Sequence, residues 1–310
     1  MEVLTRMEQL QGDFRPCVLA MGTFDGLHLG HLDVIHTAKE YALRHQLQTA
    51  VFTFSNHPYT FLCPEKTPVS IQENADKEEM LNKIGVDLLV QVPFDAKLAN
   101  LIPQDFFKAL LPLNIRCIVV GENFTYGIDG NGNTATLQFE GKERGIEVIV
   151  RPLLTQNGSI ISSTAIRSLI TAGKLERAAL MLGRAYSVAG IVKKGFQRGN
   201  TIGFPTANLY LDRKLTALPP AGVYAVDVML PSGKIYQGMG NLGMNPTFND
   251  VRTEVLETNL FGFQGDLYGQ RLEVIFKKFL RDEQKFASIE ELKKHLAQDA
   301  ELAKQVKISQ

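Results

Sequence analysis

The chain has 310 residues, 45% of them hydrophobic and 21% charged, and its 33 lysines and arginines balance 33 aspartates and glutamates. That length is long for one core and predicts two domains. Zero net charge leaves no basic field to gather nucleic acid, so any anion site has to be local. No uninterrupted apolar stretch approaches the ~20 residues of a membrane span, and the opening Met1-Glu2-Val3-Leu4-Thr5-Arg6 lacks the basic-then-apolar pattern of a secretory signal. Three cysteines, Cys17, Cys63 and Cys117, match no Cys-x-x-Cys spacing. They read as structural thiols of a reducing compartment, so a cytoplasmic protein is expected.

The first informative stretch is the apolar run Cys17-Val18-Leu19-Ala20-Met21, a buried strand by composition. It is followed by Gly22-Thr23-Phe24-Asp25-Gly26-Leu27-His28-Leu29-Gly30-His31, and then by residues 32–41 with apolar positions at helical spacing. A strand, a glycine-broken turn and a helix start carrying two imidazoles make a phosphate site, because a helix N-terminus offers unpaired N–H groups and a positive dipole end. Gly30 leaves room for a polyphosphate to approach the backbone. His28 and His31, near one turn apart, are placed to donate hydrogen bonds to phosphoryl oxygens as charge builds there. A lone His-x-Gly-His is more often a core histidine beside a surface one; the strand before it and the Phe24-Asp25-Gly26 lead-in favour the phosphate reading.

Residues 49–54 read as a second strand, and Asp76 with Glu79 as a cap and its third-position acid opening a helix through residue 84. Residues 87–90 form the next strand, Pro103 opens a helix through residue 110, and 117–120 is another buried run. A polar, glycine-rich loop over 121–133 precedes a last strand over 147–150. Strands alternating with helices predict a doubly wound α/β parallel sheet covered on both faces. Its ligands lie at the carboxyl ends of strands, where His28, His57 and Asn123 fall. In Ile161-Ser162-Ser163-Thr164-Ala165-Ile166-Arg167, hydroxyls precede a helix predicted over 165–171. Serines alone would be simple N-caps; with Arg167 one turn in, caps, exposed N–H groups and a cation suited to clamping phosphate coincide.

After Gly183 the texture changes to short β-rich runs over 186–192, 223–229, 236–242, 254–260 and 271–279, separated by glycine-, proline- and asparagine-rich turns. That is the pattern of a small antiparallel β-barrel. A final helix is predicted from residue 289, with Ser288 and Glu291 as its capping box. The change of periodicity places the domain boundary between residues 183 and 184. The second strong signal is Gly199-Asn200-Thr201-Ile202-Gly203-Phe204-Pro205-Thr206-Ala207-Asn208. Two glycines and a proline alone would make it a loop, but Thr206 and Asn208 alternate on an extended segment and point to the same side. A hydroxyl and an amide carbonyl are hard oxygen ligands suited to magnesium bridging a nucleotide's phosphates.

The His-x-Gly-His string resembles the nucleotidylyltransferase signature, and Gly-Phe-Pro-Thr-Ala-Asn that of flavokinases. Joined to the Ile-Ser-Ser-Thr-x-Ile-Arg string, they make nearly the whole chain similar to the bacterial bifunctional riboflavin kinase/FMN adenylyltransferase (FAD synthetase) family. The resemblance implies a Rossmann-like nucleotidylyltransferase domain over residues 1–183 that joins FMN and ATP into FAD with release of pyrophosphate. It implies a riboflavin kinase barrel with its C-terminal helix over residues 184–310, converting riboflavin and ATP to FMN and ADP. Mg2+ serves both sites, no prosthetic group, nucleic acid or membrane is implied, and self-association is left open.

By the same resemblance, His28 and His31 contact the ATP phosphates, with Gly22, Phe24, Gly30, Ser163, Thr164 and Arg167 also around that nucleotide. His57, Pro58 and Asn123 lie near the FMN phosphate. In the second half Gly203, Pro205, Thr206 and Asn208 hold the nucleotide, Thr206 and Asn208 the metal, and Arg198 and Tyr268 border the flavin. Glu257 takes the place of the family's general base on the ribityl 5′-hydroxyl, with Glu254 the fallback. The chain departs from the pattern at Asn259 and Gly262, where the family usually has histidine and aspartate. Two other readings therefore stay in view: an enzyme with one working half, the adenylyltransferase first, and a flavin-binding regulator without catalysis.

Overall fold

The computed structural model describes residues 1–193, 206–246, 252–284 and 286–306, and its contacts divide the chain into two compact units, Met1–Ser163 and Thr164–Gln310. The first unit is built on six parallel strands. In sheet order they are Glu2–Leu4, Leu88–Val92, Gln48–Phe54, Cys17–Met21, Ile115–Gly121 and Glu147–Arg151. Strands Cys17–Met21 and Leu88–Val92 are buried at every residue, which is why they read as apolar runs and not as alternating patterns.

Alternate residues of these strands feed two cores. Leu19, Met21, Phe52, Val90 and Ile118 pack with Phe106, Phe107 and Leu137 from helices Pro103–Leu110 and Thr134–Glu143. Val18, Ala20, Val51, Leu89 and Val119 pack with Val34, Ile35 and Ala38 of helix Leu29–His45 and Leu81 of helix Asn74–Ile84. The sheet is thus doubly wound, as its alternating pattern predicts. From Cys17–Met21 the chain moves outward to Gln48–Phe54 and Leu88–Val92, then crosses to the other side for Ile115–Gly121. The order reverses there, so the ligand crevice of such a sheet falls at the carboxyl ends of Cys17–Met21 and Ile115–Gly121.

Several details of the first unit differ from the sequence reading, edge strand Glu2–Leu4 among them. Helix Asn74–Ile84 starts three residues earlier than expected with Glu73 at the N-cap position, so Asp76 sits in the first turn, where its charge meets the positive dipole end. The loop over 121–133 contains a two-stranded ribbon, Thr125–Tyr126 with Gly132–Asn133. Helix Thr134–Glu143 is new. Asn133 Oδ1 accepts the Thr136 N–H at 3.0 Å while Thr136 Oγ1 accepts the Asn133 N–H at 2.8 Å. Its Gly141 conceals it in the sequence; a side chain there would meet the Ile146 carbonyl oxygen at 2.7 Å, so glycine is a packing requirement.

The second unit takes in most of helix Ser163–Thr171 and all of helix Leu175–Leu182, the latter not read from the sequence. Six antiparallel strands then close a barrel in the order Ser187–Lys193, Ala207–Leu211, Arg252–Leu260, Ile235–Pro246, Gly222–Met229 and Arg271–Arg281. Helix Ile289–Gln305 starts at Ser288, whose Oγ accepts the Glu291 N–H at 3.1 Å; the Glu291 carboxylate reaches back to the N–H of Ala287 at 2.8 Å. Ala300 and Ala303 of this helix pack on Ala225 and Met239, and Arg281 grips Asp299 at 3.0 and 2.7 Å. Because Ala225 and Met239 face the helix, alternation turns Tyr224, Val226, Leu242, Leu256 and Leu209 into the barrel.

Burial pushes the thiols of Cys17 and Cys117 up to about 12. Cys63 is half-buried and donates to Glu65 Oε1 at 2.6 Å, which also raises its pKa. In the native protein at about pH 8, Cys63 alone is therefore expected to react rapidly with a disulfide reagent, since the thiolate is the nucleophile. Glu65→Gln should speed that reaction by lowering the thiol's pKa. Rapid reaction of Cys17 or Cys117 before unfolding would contradict their burial.

Candidate active sites

The first site is built by the loop that leaves strand Cys17–Met21. Phe24, Gly26 and Leu27 have φ of 48°, 82° and 38°, a region that non-glycine residues rarely adopt and that persists only where surrounding structure holds it. Here it is held from several directions. Phe24 and Leu27 are buried in the core beneath helix Leu29–His45. Thr53 Oγ1 donates to the Thr23 carbonyl at 2.9 Å, and Ser163 Oγ to the Asp25 carbonyl at 2.8 Å. The Asp25 carboxylate accepts the Ile71 N–H at 3.0 and 3.3 Å. Gly22 donates its N–H to the Phe52 carbonyl at 3.2 Å, continuing the strand pairing by one residue.

This loop delivers His28 to the N-cap position of helix Leu29–His45. His28 is 5% exposed, and its Nδ1 accepts the His31 N–H at 3.3 Å. With Nδ1 accepting, a neutral ring carries its proton on Nε2, where it is a donor. The two imidazoles stack at 3.5 Å between centroids and 18° between planes, with Phe24 edge-on to His31 at 5.3 Å. A side chain at Gly30 would stand 3.2 Å from His28 Cε1 and 3.3 Å from Nδ1. Glycine there makes room for the capping ring as well as for a ligand. The cap uses the His31 N–H; at such a helix start the other first-turn N–H groups that no helical carbonyl can reach suit an anion.

Two neighbouring strands contribute the remaining groups of this unit. After Gln48–Phe54, Asn56 clamps the backbone of Phe94, accepting its N–H at 2.7 Å and donating to its carbonyl at 3.1 Å. His57 follows; its Nδ1 accepts the Tyr59 N–H at 3.1 Å, which again leaves Nε2 as the donor, and Pro58 opens the short helix Tyr59–Leu62. After Ile115–Gly121, Asn123 sits exposed in a turn closed by the Phe124 N–H on the Gly121 carbonyl at 3.0 Å. His28, Asn123 and His57 thus stand at the carboxyl ends of three adjacent strands, a span of ~10 Å at normal strand spacing. Thr164, exposed, and Arg167, half-buried, lie on helix Ser163–Thr171. Their carbonyls accept Ser168 Oγ at 3.1 Å and Thr171 Oγ1 at 3.0 Å.

In the second unit, strand register separates the two glutamates. Glu257 lies directly across from Asn208 on one side and Asn241 on the other, and all three stand on the outward face by alternation. Asn208 is 6% exposed. Thr206, two residues before it, alternates to that same side. Glu254 has the opposite parity and is paired with Arg213, whose guanidinium also donates to the carbonyls of Leu218 and Pro219 at 2.8 and 2.9 Å. Asn259 is buried two residues beyond Glu257 on the same face, across from Met239. Gly262 has a φ of 70° in the following turn, a conformation suited to glycine. Tyr268 is part-exposed, its N–H held by Asp266 Oδ1 at 2.8 Å. Arg198, Gly203 and Pro205 lie outside the described residues.

Residues 10–165 match the family model for FAD synthetase, and residues 182–307 the model for riboflavin kinase. The chain is 39% identical over 292 residues to the bifunctional riboflavin kinase/FMN adenylyltransferase of Bacillus subtilis, covering 92% of this chain and 91% of that one. It is 35% identical to the protein of the same name from Escherichia coli K12, with 91% and 90% covered, and 35% to that of Haemophilus influenzae, with 98% of each covered. A crystal structure described as that of a macrolide-efflux protein from Streptococcus pneumoniae matches with a TM-score of 0.86 at 33% identity, over 98% of each chain. Among the described residues no helix is long and apolar enough to cross a membrane.

The His28 geometry predicts its tautomer. Side-chain nitrogen NMR of the labelled protein above the imidazole pKa should show an unprotonated Nδ1 and a protonated Nε2. Gly30→Ala should disturb both resonances by pressing on the ring. A proton found on Nδ1 of His28 would contradict the capping bond.

Proposed function

The chain belongs to the bifunctional riboflavin kinase/FMN adenylyltransferase family, and from that membership we propose how its residues divide the two reactions. It is an enzyme of flavin-cofactor synthesis that phosphorylates riboflavin to FMN and adenylylates FMN to FAD. We assign adenylyl transfer to residues 1–183 and the kinase to residues 184–310. The observation that carries the first assignment is the His28 cap, which presents a fixed imidazole donor and a helix N-terminus at the switch point of the sheet.

In adenylyl transfer an FMN phosphate oxygen forms a bond to the α-phosphorus of ATP while the bond to the bridging oxygen of the departing pyrophosphate breaks. No protein nucleophile is required, so catalysis consists of positioning and of stabilising charge on phosphoryl oxygens. His28 Nε2, His31 and the first-turn N–H groups supply those donors. Gly22 and Phe24 shape the loop beside them, and Ser163, bonded to the Asp25 carbonyl, stands next to the triphosphate. His57, Pro58 and Asn123 receive the FMN phosphate.

In the kinase the riboflavin 5′-hydroxyl attacks the γ-phosphorus of ATP and ADP leaves. Glu257 accepts the hydroxyl proton, and its register partner Asn208 keeps it beside the phosphates. Glu254, of opposite parity, lies across from Leu211 and not from Asn208, so register favours Glu257 as that base. Among the described residues no cluster of three or more His, Cys, Asp or Glu could hold a metal ion by itself. Asn208 with Thr206 offers the neutral oxygen pair that suits Mg2+ sharing its shell with nucleotide phosphates. When bound, that ion would neutralise phosphate charge.

His28→Ala and His31→Ala should each lower FAD formation from FMN by ~10²–10³, the usual cost of one preorganised donor, and leave FMN formation intact. Asn208→Ala and Glu257→Gln should stop FMN formation and spare adenylylation of supplied FMN. Equal loss of both activities in any of these variants would contradict the division. Full kinase turnover in Glu257→Gln beside an inactive Glu254→Gln would reassign the base.

A further inference from the structure

Lys77 is a lysine where the fold has every opportunity to place an apolar residue. It lies one turn from Leu81 on the inward face of helix Asn74–Ile84 and is only 5% exposed. Burying an ammonium costs free energy unless its donors and charge are used. Its Nζ donates to the Phe54 carbonyl at 3.2 Å, the last residue of strand Gln48–Phe54. Three residues earlier on the same face of the helix, Asn74 Nδ2 donates to the next carbonyl, Ser55, at 2.7 Å. Two side chains of one helix therefore hold two consecutive carbonyls immediately ahead of Asn56 and His57.

The same segment also holds the loop that carries His28. The Ile71 N–H, just ahead of the helix, binds the Asp25 carboxylate, and the Ile71 side chain fills the space over Gly26, where a Cβ would meet it at 2.9 Å. Burial pulls the Lys77 ammonium below its ordinary pKa, and the Asp25 carboxylate opposes that pull. Residues 71–77 thus join the His28 loop at one end to the His57 loop at the other.

We propose that Lys77 is a positioning residue for adenylyl transfer: with Asn74 it fixes the end of strand Gln48–Phe54, and so His57, against the Asp25 loop that carries His28. The proposal rests on the assignment of adenylylation to the first unit. A displacement of ~1 Å between reacting groups can cost ~10²-fold in rate, so small slippage between these loops is enough to matter.

The test compares FAD formation from FMN and ATP, and FMN formation from riboflavin and ATP, in the full chain carrying Lys77→Met, Lys77→Arg, Asn74→Ala or His28→Ala. Lys77→Met should lower kcat for FAD formation by ~10- to 100-fold with KM for ATP changed less than ~3-fold, and kinase kinetics should not move. Lys77→Arg, which keeps a cation and donors, should keep kcat within about 3-fold of the parent. Asn74→Ala should lose about 5-fold, again in kcat. If Lys77→Met loses the thermal transition of the first unit, the kcat and KM of Asn74→Ala decide. A kcat for Lys77→Met within about 3-fold of the parent, an effect on KM alone, or Lys77→Arg as impaired as Lys77→Met would each overturn the proposal. If His28→Ala keeps full FAD formation, the site assignment falls; if His28→Ala is inactive while Lys77→Met and Asn74→Ala are normal, only this inference falls.

Discussion

The hydrogen bond from the His31 N–H to His28 Nδ1 constrains the first unit's site more than any other. It caps helix Leu29–His45, fixes the plane of the His28 ring, and places that ring's proton on Nε2. A serine or aspartate would cap the helix equally well and could not offer a ring N–H besides. The cap requires the backbone to arrive from an unusual direction, which accounts for positive φ at Phe24, Gly26 and Leu27. That strain is opposed by burial of Phe24 and Leu27 and by three side-chain bonds from Thr53, Asp25 and Ser163. Gly30 completes the arrangement, since even a methyl group would crowd the ring.

The second unit reaches a comparable end by a different route. Among the described residues, cross-strand register sets the order Asn208, Glu257, Asn241 across three strands on one face. Directly opposed residues on a sheet have Cβ atoms ~5 Å apart. Register alone places Glu257 between two asparagines, without a strained loop. A slip of one residue in strand Arg252–Leu260 would exchange Glu257 for its inward-facing neighbours Leu256 or Thr258. The inward row Leu209, Leu256 and Leu242, fully buried, is what forbids that slip. The barrel's core packing is therefore what sets the reach of its candidate base.

Much of this was legible in the sequence, for reasons that differ between elements. Strands Cys17–Met21 and Ile115–Gly121 announce themselves because both faces of the sheet are covered and nearly every side chain is apolar. Helix Pro103–Leu110 falls where Pro103 predicts it. Helix Thr134–Glu143 was not legible because Gly141, a poor helix former, is required by the carbonyl of Ile146, which arrives from another element. Strand Ala207–Leu211 is legible only at its start, where Thr206 and Asn208 alternate on an extended segment; it is not among the β-rich runs of the sequence. In the site, residues adjacent in sequence could be grouped, such as those around His28 and Glu257. Asn56, Asn74 and Lys77 could not, since their partners Phe94, Ser55 and Phe54 are joined to them only by tertiary packing. A lysine followed four residues later by a buried leucine is an ordinary helix face until the strand beneath it is known.

Amide hydrogen exchange read by mass spectrometry, with FMN and a non-hydrolysable α,β-substituted ATP analogue added to the full chain, tests the phosphate site most directly. The account predicts slowed exchange over residues 22–32, where the cap and first-turn N–H groups meet the triphosphate, and over residues 54–58 beside the flavin phosphate. Protection confined to the barrel strands, with residues 22–32 unchanged at saturating ligand, would contradict the placement of adenylyl transfer at the His28 helix start.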